Sequence, residues 1–281
     1  MLFESYVPHA PLIEFIENFW LYEGYRAEHS RETILPTGTF EMVFNLVEDE
    51  LRIYDTRDPV ICRRFSGAVI SGPYAGSFMS DGPEEEAIMG VHFKPGGAFA
   101  VLGIPADEFT NRHVDLQTIW GPAAKVLRER LVALSQPIHR FRLVEYALLK
   151  RLCERPDHHG AVGIGLEALI RSHGRAKVRD ISRAADLSQR RFIEVFTTEV
   201  GLTPKLFGRV QRFQNAVARS QHAPKVNWAG LAVECGYFDQ SHLIHEFVEF
   251  TGLSPADYWR RHNRLCRAGV HVKRHHLPLT G

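Results

Sequence analysis

Apolar positions follow two different periods along this chain. Over the first ~110 residues they come as short dense runs. Thr39 to Leu46 is rich in aromatic and branched residues and follows a Pro36-Thr37-Gly38 turn, and Cys62 to Ile70 carries further runs. Breakers at Gly72-Pro73, Asp81-Gly82-Pro83 and Pro95-Gly96-Gly97 recur at roughly ten-residue intervals, the spacing of short strands in a sandwich or barrel. One stretch departs from this: Leu12 to Trp20 has apolar residues at 12, 13, 15, 16, 19 and 20, which predicts a short amphipathic helix. From Pro122 the period becomes helical. Leu127, Leu131 and Leu134 line one face of 122–134. Phe141, Leu143, Ala147 and Leu148 line a face of 138–153, with Gln136-Pro137 between the two helices. The polar, breaker-rich Arg155 to Gly160 predicts a linker.

Beyond Val162 the pattern predicts seven helices, over about 162–172, 178–185, 189–200, 204–220, 227–235, 240–251 and 255–264. This part repeats itself. Phe192-x-x-x-Phe196 recurs as Leu243-x-x-x-Phe247, and Gly201-Leu202-Thr203-Pro204 as Gly252-Leu253-Ser254-Pro255, each 51 residues on. Upstream, Ile181-x6-Ser188 becomes Leu231-x7-Asp239, so the second copy has one extra residue in its turn. Each copy reads as a helix-turn-helix. Val178, Ile181 and Ala185 give a buried stripe, Asp186-Leu187 a turn, and Ser188 an N-cap; Leu231, Ala232 and Cys235, then Gly236, then Asp239 do the same in the second. Each second helix ends at a glycine, and a proline opens the next helix three residues later. Pro204 to Ser220 has one apolar face (Leu206, Phe207, Val210, Phe213, Val217) and reads as a stiff spacer. Two heads ~34 Å apart meet successive major grooves of B-DNA.

Charge sharpens the division. Residues 1–162 carry 16 Lys+Arg against 23 Asp+Glu, a net of −7, whereas residues 163–281 carry 18 against 10, a net of +8. A basic half joined to an acidic one suggests that only one part meets a polyanion. Cys62, Cys153, Cys235 and Cys266 are scattered, which points to a reducing compartment and away from a zinc ribbon. No apolar run approaches the ~20 residues of a membrane span, and no basic leader precedes one, so a cytoplasmic protein without membrane contact is expected.

Residues 163–265 resemble the DNA-binding domain of the AraC/XylS family of bacterial transcription regulators. The resemblance rests on Gly201-Leu202-Thr203-Pro204, Arg212-Phe213-x-x-Ala216, Cys235-Gly236-Tyr237-Phe238-Asp239-Gln240-Ser241-His242-Leu243, Gly252-Leu253-Ser254-Pro255 and Tyr258. Residues 1–153 more weakly resemble a β-rich domain that often precedes it, through Ile34 to Gly38, Gly90 to Gly97 and Leu102 to Pro105. The expectation is an α+β chain: a β-rich barrel- or sandwich-like domain with a helical pair (1–153), a linker (154–162), an all-α double helix-turn-helix domain (163–265) and a frayed basic tail (266–281). The resemblance implies double-stranded DNA as partner. It also admits a small-molecule effector, contact with RNA polymerase and a homodimer through the acidic half, with no cofactor.

In such a domain, base edges are reached from the starts of the reading helices. The candidates are Gln189, Arg190, Ile193 and Glu194 in the first, and Gln240, Ser241, His242 and His245 in the second. Arg suits guanine and Gln suits adenine. Phosphate candidates are Arg183, Arg191, Lys205, Arg209, Arg260 and Arg261. The family commonly has Arg where this chain has Glu194 and His245. Glu194 then either accepts from a cytosine or pairs with Arg190 along the helix. In the N-terminal half, Trp20, Tyr22, Phe40, Phe44, His92 and Phe93 either line an effector pocket or form core.

Fifteen histidines raise the question of a metal. The spacing of His262, Cys266, His271, His275 and His276 matches no closed zinc pattern, and His92 lacks the His-x-His of a cupin metal site, so no metal is expected. No GxSxG, Walker or GxGxxG motif is present, so the chain is not expected to be an enzyme. An enzyme tethered to a DNA-binding domain and a protein-interaction module remain the alternatives for residues 1–153.

Overall fold

In the computed structural model, residues 2–25, 31–56, 58–81, 86–152, 159–221, 223, 225–267 and 276–279 are described. The N-terminal strands are β1 (Leu2–Tyr6), β2 (Ile16–Tyr25), β3 (Arg31–Ile34), β4 (Glu41–Asn45), β5 (Glu50–Tyr54), β6 (Cys62–Ser66), β7 (Ala68–Ser71), β8 (Phe78–Asp81), β9 (Glu86–Phe93) and β10 (His113–Asp115). They form two antiparallel sheets without barrel closure. One has the order β1-β2-β9-β4-β7-β10. The other is β11-β3-β8-β5-β6, where β11 is His276–Leu279 from the far end of the chain. The first four helices are α1 (Gly97–Leu102), α2 (Leu116–Trp120), α3 (Pro122–Ala133) and α4 (Pro137–Leu152).

Strand alternation decides which side of the six-stranded sheet is core. Phe19, Leu21, Met42, Phe44, Met89, Val91 and Phe93 point to the helices and bury with Leu127, Leu131, Phe141, Val144 and Leu148. The opposite face carries Trp20, Tyr22, Gly90 and His92, and the Trp20 indole lies across Gly90, where a Cβ would sit 2.3 Å from the ring. Gly97 opens α1 because its Cα faces the Phe15 carbonyl so closely that a Cβ would fall 2.0 Å from that oxygen. The Pro95-Gly96-Gly97 turn is thus a strand-to-helix corner.

Two expectations are corrected. Leu12 to Trp20 is not a helix: a single 3-10 turn (Leu12–Glu14) leads into β2. The pairing of β2 with β9 slips between Ile16 and Asn18. That bulge puts buried Ile16 and Phe19 three apart, which mimics a helical stripe. The tail is not wholly frayed. The helix α11 (Pro255–Arg267) continues into it, and β11 pairs antiparallel with β3, His276 opposite Ile34 and Leu279 opposite Arg31. Residues 153–158 of the linker region lie outside the described residues, and α5 (Gly160–Arg171) already occupies its end.

The remaining helices are α6 (Val178–Ala184), α7 (Gln189–Val200), α8 (Pro204–Gln221), α9 (Trp228–Glu234) and α10 (Gln240–Thr251), followed by α11. With α5 they are the seven expected helices. Their own core gathers Phe192, Phe196, Phe207, Phe213, Leu243, Phe247, Phe250 and Tyr258. The two domains are not independent. Leu35 of the first is buried in the core of the second. The backbone N–H of Ser77 donates to the Phe250 carbonyl at 2.9 Å, and the Thr110 hydroxyl donates to the Gly201 carbonyl.

Candidate nucleic-acid interface

The candidate reading helices, α7 and α10, are each started and stopped by the residues that the sequence provides. Ser188 Oγ accepts from the Arg191 N–H at 3.2 Å, and Asp239 Oδ1 accepts from the His242 N–H at 2.8 Å. These side chains satisfy backbone donors that a helix start leaves open. Gly201 and Gly252 close α7 and α10 in the left-handed region, with φ of 86° and 74°. One face of each helix is core: Phe192, Val195 and Phe196 in α7; Leu243, Phe247 and Phe250 in α10.

The other face is open at the N-terminal end. Gln189, Arg190, Gln240, Ser241 and His245 are exposed and make no side-chain hydrogen bond or ion pair among the described residues. His242 is exposed but held. Its Nδ1 accepts from the Phe238 N–H at 3.3 Å, and its ring stands edge-on to Tyr237 at 5.3 Å. Ile193 is half-buried. Glu194 pairs with Arg191 at 3.1 Å, not with Arg190, so the i,i+4 expectation is corrected to i,i+3. Such an exposed pair adds little stability. The backbone contacts from the first domain reach Gly201 and Phe250, at the C-terminal ends of α7 and α10, and Phe99 shares a cleft with Arg191 and Glu194, while Gln189, Arg190, Gln240 and Ser241 stay exposed.

Among the phosphate candidates, Arg183, Arg191, Lys205 and Arg260 are exposed, Arg260 beside Asp257. Arg261 is half-buried; burial and the neighbouring Arg264 pull its pKa down. Arg209 is placed otherwise than expected. Its Nε lies 2.7 Å from Glu246 Oε1 and its Nη2 donates to Glu249, so it ties α8 to α10. Burial opposes its charge, but the hydrogen bonds to Glu249 and Glu246 outweigh that and raise its pKa.

The effector candidates separate across the sheet. Phe40, Phe44 and Phe93 are core against the helices; Trp20, Tyr22 and His92 lie on the other face. His92 Nδ1 is 3.3 Å from Glu41 Oε1, and its Nε2 is 3.4 Å from Thr39 Oγ1. Sequence reasoning missed a second polar group on the face of β7 and β10 covered by the second sheet. His113 shares a 2.6 Å hydrogen bond with the Tyr74 hydroxyl, and Phe65 and Phe78 come from the facing sheet to ring centroids at 5.7 and 4.6 Å. The alternation His113-Val114-Asp115 was the available signal. No group of three potential metal ligands occurs among the described residues, and His271, His275 and the His276 side chain lie outside them. No helix among the described residues is long and apolar enough to cross a membrane.

Residues 181–261 match the family model described as a helix-turn-helix domain, and residues 4–115 match a domain of unknown function, DUF6597. No curated protein sequence matches the chain. Among solved structures, the fold is similar to ToxT from Vibrio cholerae, with 11% identity and a TM-score of 0.48 over 86% of this chain and 98% of that one. A second ToxT structure, with unsaturated fatty acid bound, gives 11% identity and a TM-score of 0.44 over 86% and 94%. The duplicated, side-chain-capped helices lie within the match over 181–261, so the C-terminal part of this chain contains a helix-turn-helix domain, in keeping with the sequence resemblance to the AraC/XylS regulators.

Proposed function

We propose that this DNA-binding chain is a sequence-specific transcription regulator that reads a duplex through the starts of α7 and α10. The observation that carries the reading is the shared state of these two starts. Each is capped by a side chain, packed on one face and open on the other, with Gln189, Arg190, Gln240, Ser241 and His245 unengaged. In this reading Gln189, Arg190, Ile193, Glu194, Gln240, Ser241, His242 and His245 face base edges. Arg183, Arg191, Lys205, Arg260 and Arg261 hold phosphates, and Arg209 orients α10. The N-terminal domain is the regulatory half, sensing an effector or a second copy. Leu35 and the carbonyls of Gly201 and Phe250 couple it to the reading helices, so a ligand that favours one docked arrangement shifts DNA occupancy.

The test uses the full chain, because Leu35 completes the C-terminal core. Binding to duplex DNA should enrich a consensus of two half-sites one helical turn apart. Its affinity should fall steeply with salt. A flat salt response with no enriched sequence overturns the reading.

A further inference from the structure

The two helix-turn-helix copies are superposable in their hydrogen bonding as far as one residue. In the first, the Leu187 N–H closes on the Ser182 carbonyl at 2.9 Å; in the second, the Tyr237 N–H closes on the Ala232 carbonyl at 2.9 Å. One residue earlier, Asp186 (φ 53°) and Gly236 (φ 81°) make the same left-handed bend. Tyr237 is therefore the counterpart of Leu187, and Phe238 is the extra residue that sequence spacing placed in the second turn.

The two turns treat their apolar residues differently. Leu187 stands immediately before the N-cap Ser188 and packs on the C-terminal core. A hydrophobic residue there ordinarily staples onto the fourth residue of the helix. In the second copy Tyr237 takes the buried place, at 4% exposure, and Phe238 stands before the N-cap Asp239 at 89% exposure. It packs on nothing that the staple would supply, since its partner position, Leu243, is fully enclosed by the core. Its backbone is nevertheless fixed. The Phe238 N–H donates to His242 Nδ1, while the His242 N–H donates to Asp239 Oδ1. These two bonds fix the backbone that carries the exposed ring, just ahead of Gln240 and Ser241 in the chain. The side chain of Arg175, itself exposed, passes close beside the same turn at Gly236.

We infer that Phe238 is a specificity-determining contact of the second reading head, its ring placed against the C5-methyl group of a thymine in the major groove. The inference rests on the DNA-reading role proposed for α10. An apolar side chain at a groove-facing helix start has the thymine methyl as its complementary feature, because the other edges offered there are hydrogen-bonding groups. Arg175 adds a cation for the flanking phosphate. The first head has no counterpart of Phe238, because Leu187, the residue before its N-cap, packs on the core, so the contact assigned to Phe238 belongs to the half-site of α10.

The experiment compares the full chain with Phe238→Ala and Phe238→Leu by selection from a randomised duplex pool, followed by titration of the enriched site with single thymines replaced by uracil. Uracil removes only the methyl group. Wild type should lose about tenfold in affinity, ~1.4 kcal/mol, at one uracil position in the half-site of α10. F238A should lose the same factor on the thymine site and be insensitive to that uracil, F238L should keep most of the response, and all three should melt alike. A consensus and uracil response unchanged in F238A overturn the contact and leave the ring to a protein partner. A wild-type chain that enriches no sequence overturns both this inference and the reading beneath it.

Discussion

Arg212 Nη2 lies 2.9 Å from Glu246 Oε1 and 3.2 Å from Oε2, so α8 grips both carboxylate oxygens of α10. Arg209 adds a bond to the same carboxylate, and the Arg212 guanidinium lies 4.7 Å from the centre of the Tyr237 ring. Glu246 is 3% exposed. Burial pushes its carboxyl upward in pKa, but hydrogen bonds from Arg212 and Arg209 outweigh that and hold it below the usual carboxylate range. The arrangement ties α10 to α8 across the intervening α9.

Removing the carboxylate strands the partly buried Arg212 guanidinium and leaves Arg209 with Glu249 alone. Glu246→Ala should cost the full chain about 3–5 kcal/mol in denaturant unfolding. A loss below ~1 kcal/mol would show that the network is dispensable. The pH response follows from the same shift. A carboxyl with a depressed folded pKa contributes stability that is complete above the unfolded value, ~4.3, and drains as pH falls through and below it. Glu246→Gln should therefore reduce the acid sensitivity of unfolding below about pH 4.5, and an unchanged acid limb would place the sensitivity elsewhere.

His113 gives the opposite window. Burial pushes its pKa down to about 3, with Glu41 opposing and Arg63 reinforcing the shift, and the Tyr74 hydroxyl bonds to Nδ1. The unfolded chain takes up this proton near pH 6.5, whereas the folded one refuses it until about 3. Its stabilisation is thus complete above pH 6.5 and falls through the interval below, by at most ~1.4 kcal/mol per pH unit. His113→Asn should flatten unfolding stability between pH 6.5 and 4. If the variant keeps the wild-type slope, the imidazole does not titrate with folding.

The two kinds of arginine can be told apart on DNA. Arg190→Ala should weaken the selected site by about tenfold or more and relax the preference at one base pair. Lys205→Ala should weaken all sequences evenly and reduce the salt slope by ~1. Arg209→Ala should lower the melting temperature and leave the salt slope alone, because its guanidinium is held by Glu246 and Glu249. A salt slope reduced in Arg209→Ala would return that residue to the phosphates.

The C-terminal domain was legible because its signals are local. Ser188, Asp239, Gly201, Gly252, Pro204 and Pro255 punctuate helices within a turn of themselves, and the spans 189–200 and 240–251 agree with α7 and α10. The N-terminal half was less so. A bulge after Ile16 disguised β2, and the closing of the second sheet by β11 joins residues some 240 positions apart, beyond any local pattern. At the candidate interface, the open ends of the helices followed from periodicity. The fate of Arg209 did not, since Glu246 looks like a surface residue until α8 and α10 are packed together. Phe238 was visible as a spacing irregularity, but its exposure required the knowledge that Tyr237 fills the core position.

The two helix-ending glycines provide an internal control on domain docking. Gly201 and Gly252 occupy equivalent places in the repeat and both have positive φ. A Cβ on Gly252 would meet nothing within 4 Å, so Gly252→Ala should cost only the left-handed strain of a non-glycine residue, about 1–2 kcal/mol. A Cβ on Gly201 would lie 2.5 Å from Pro73 Cγ and 2.8 Å from the Ala106 carbonyl oxygen, both in the N-terminal domain. The second of these is backbone and cannot swing aside, and the Thr110 hydroxyl holds the Gly201 carbonyl in the same corner. Gly201→Ala must therefore add separation of the domains to the same strain. The full chain should lose at least ~1 kcal/mol more stability in Gly201→Ala than in Gly252→Ala, and limited proteolysis should cut between the domains faster. Equal losses in the two variants would mean that the contact of the N-terminal domain with the end of α7 contributes nothing to the fold, and would remove this corner from any route between effector and DNA.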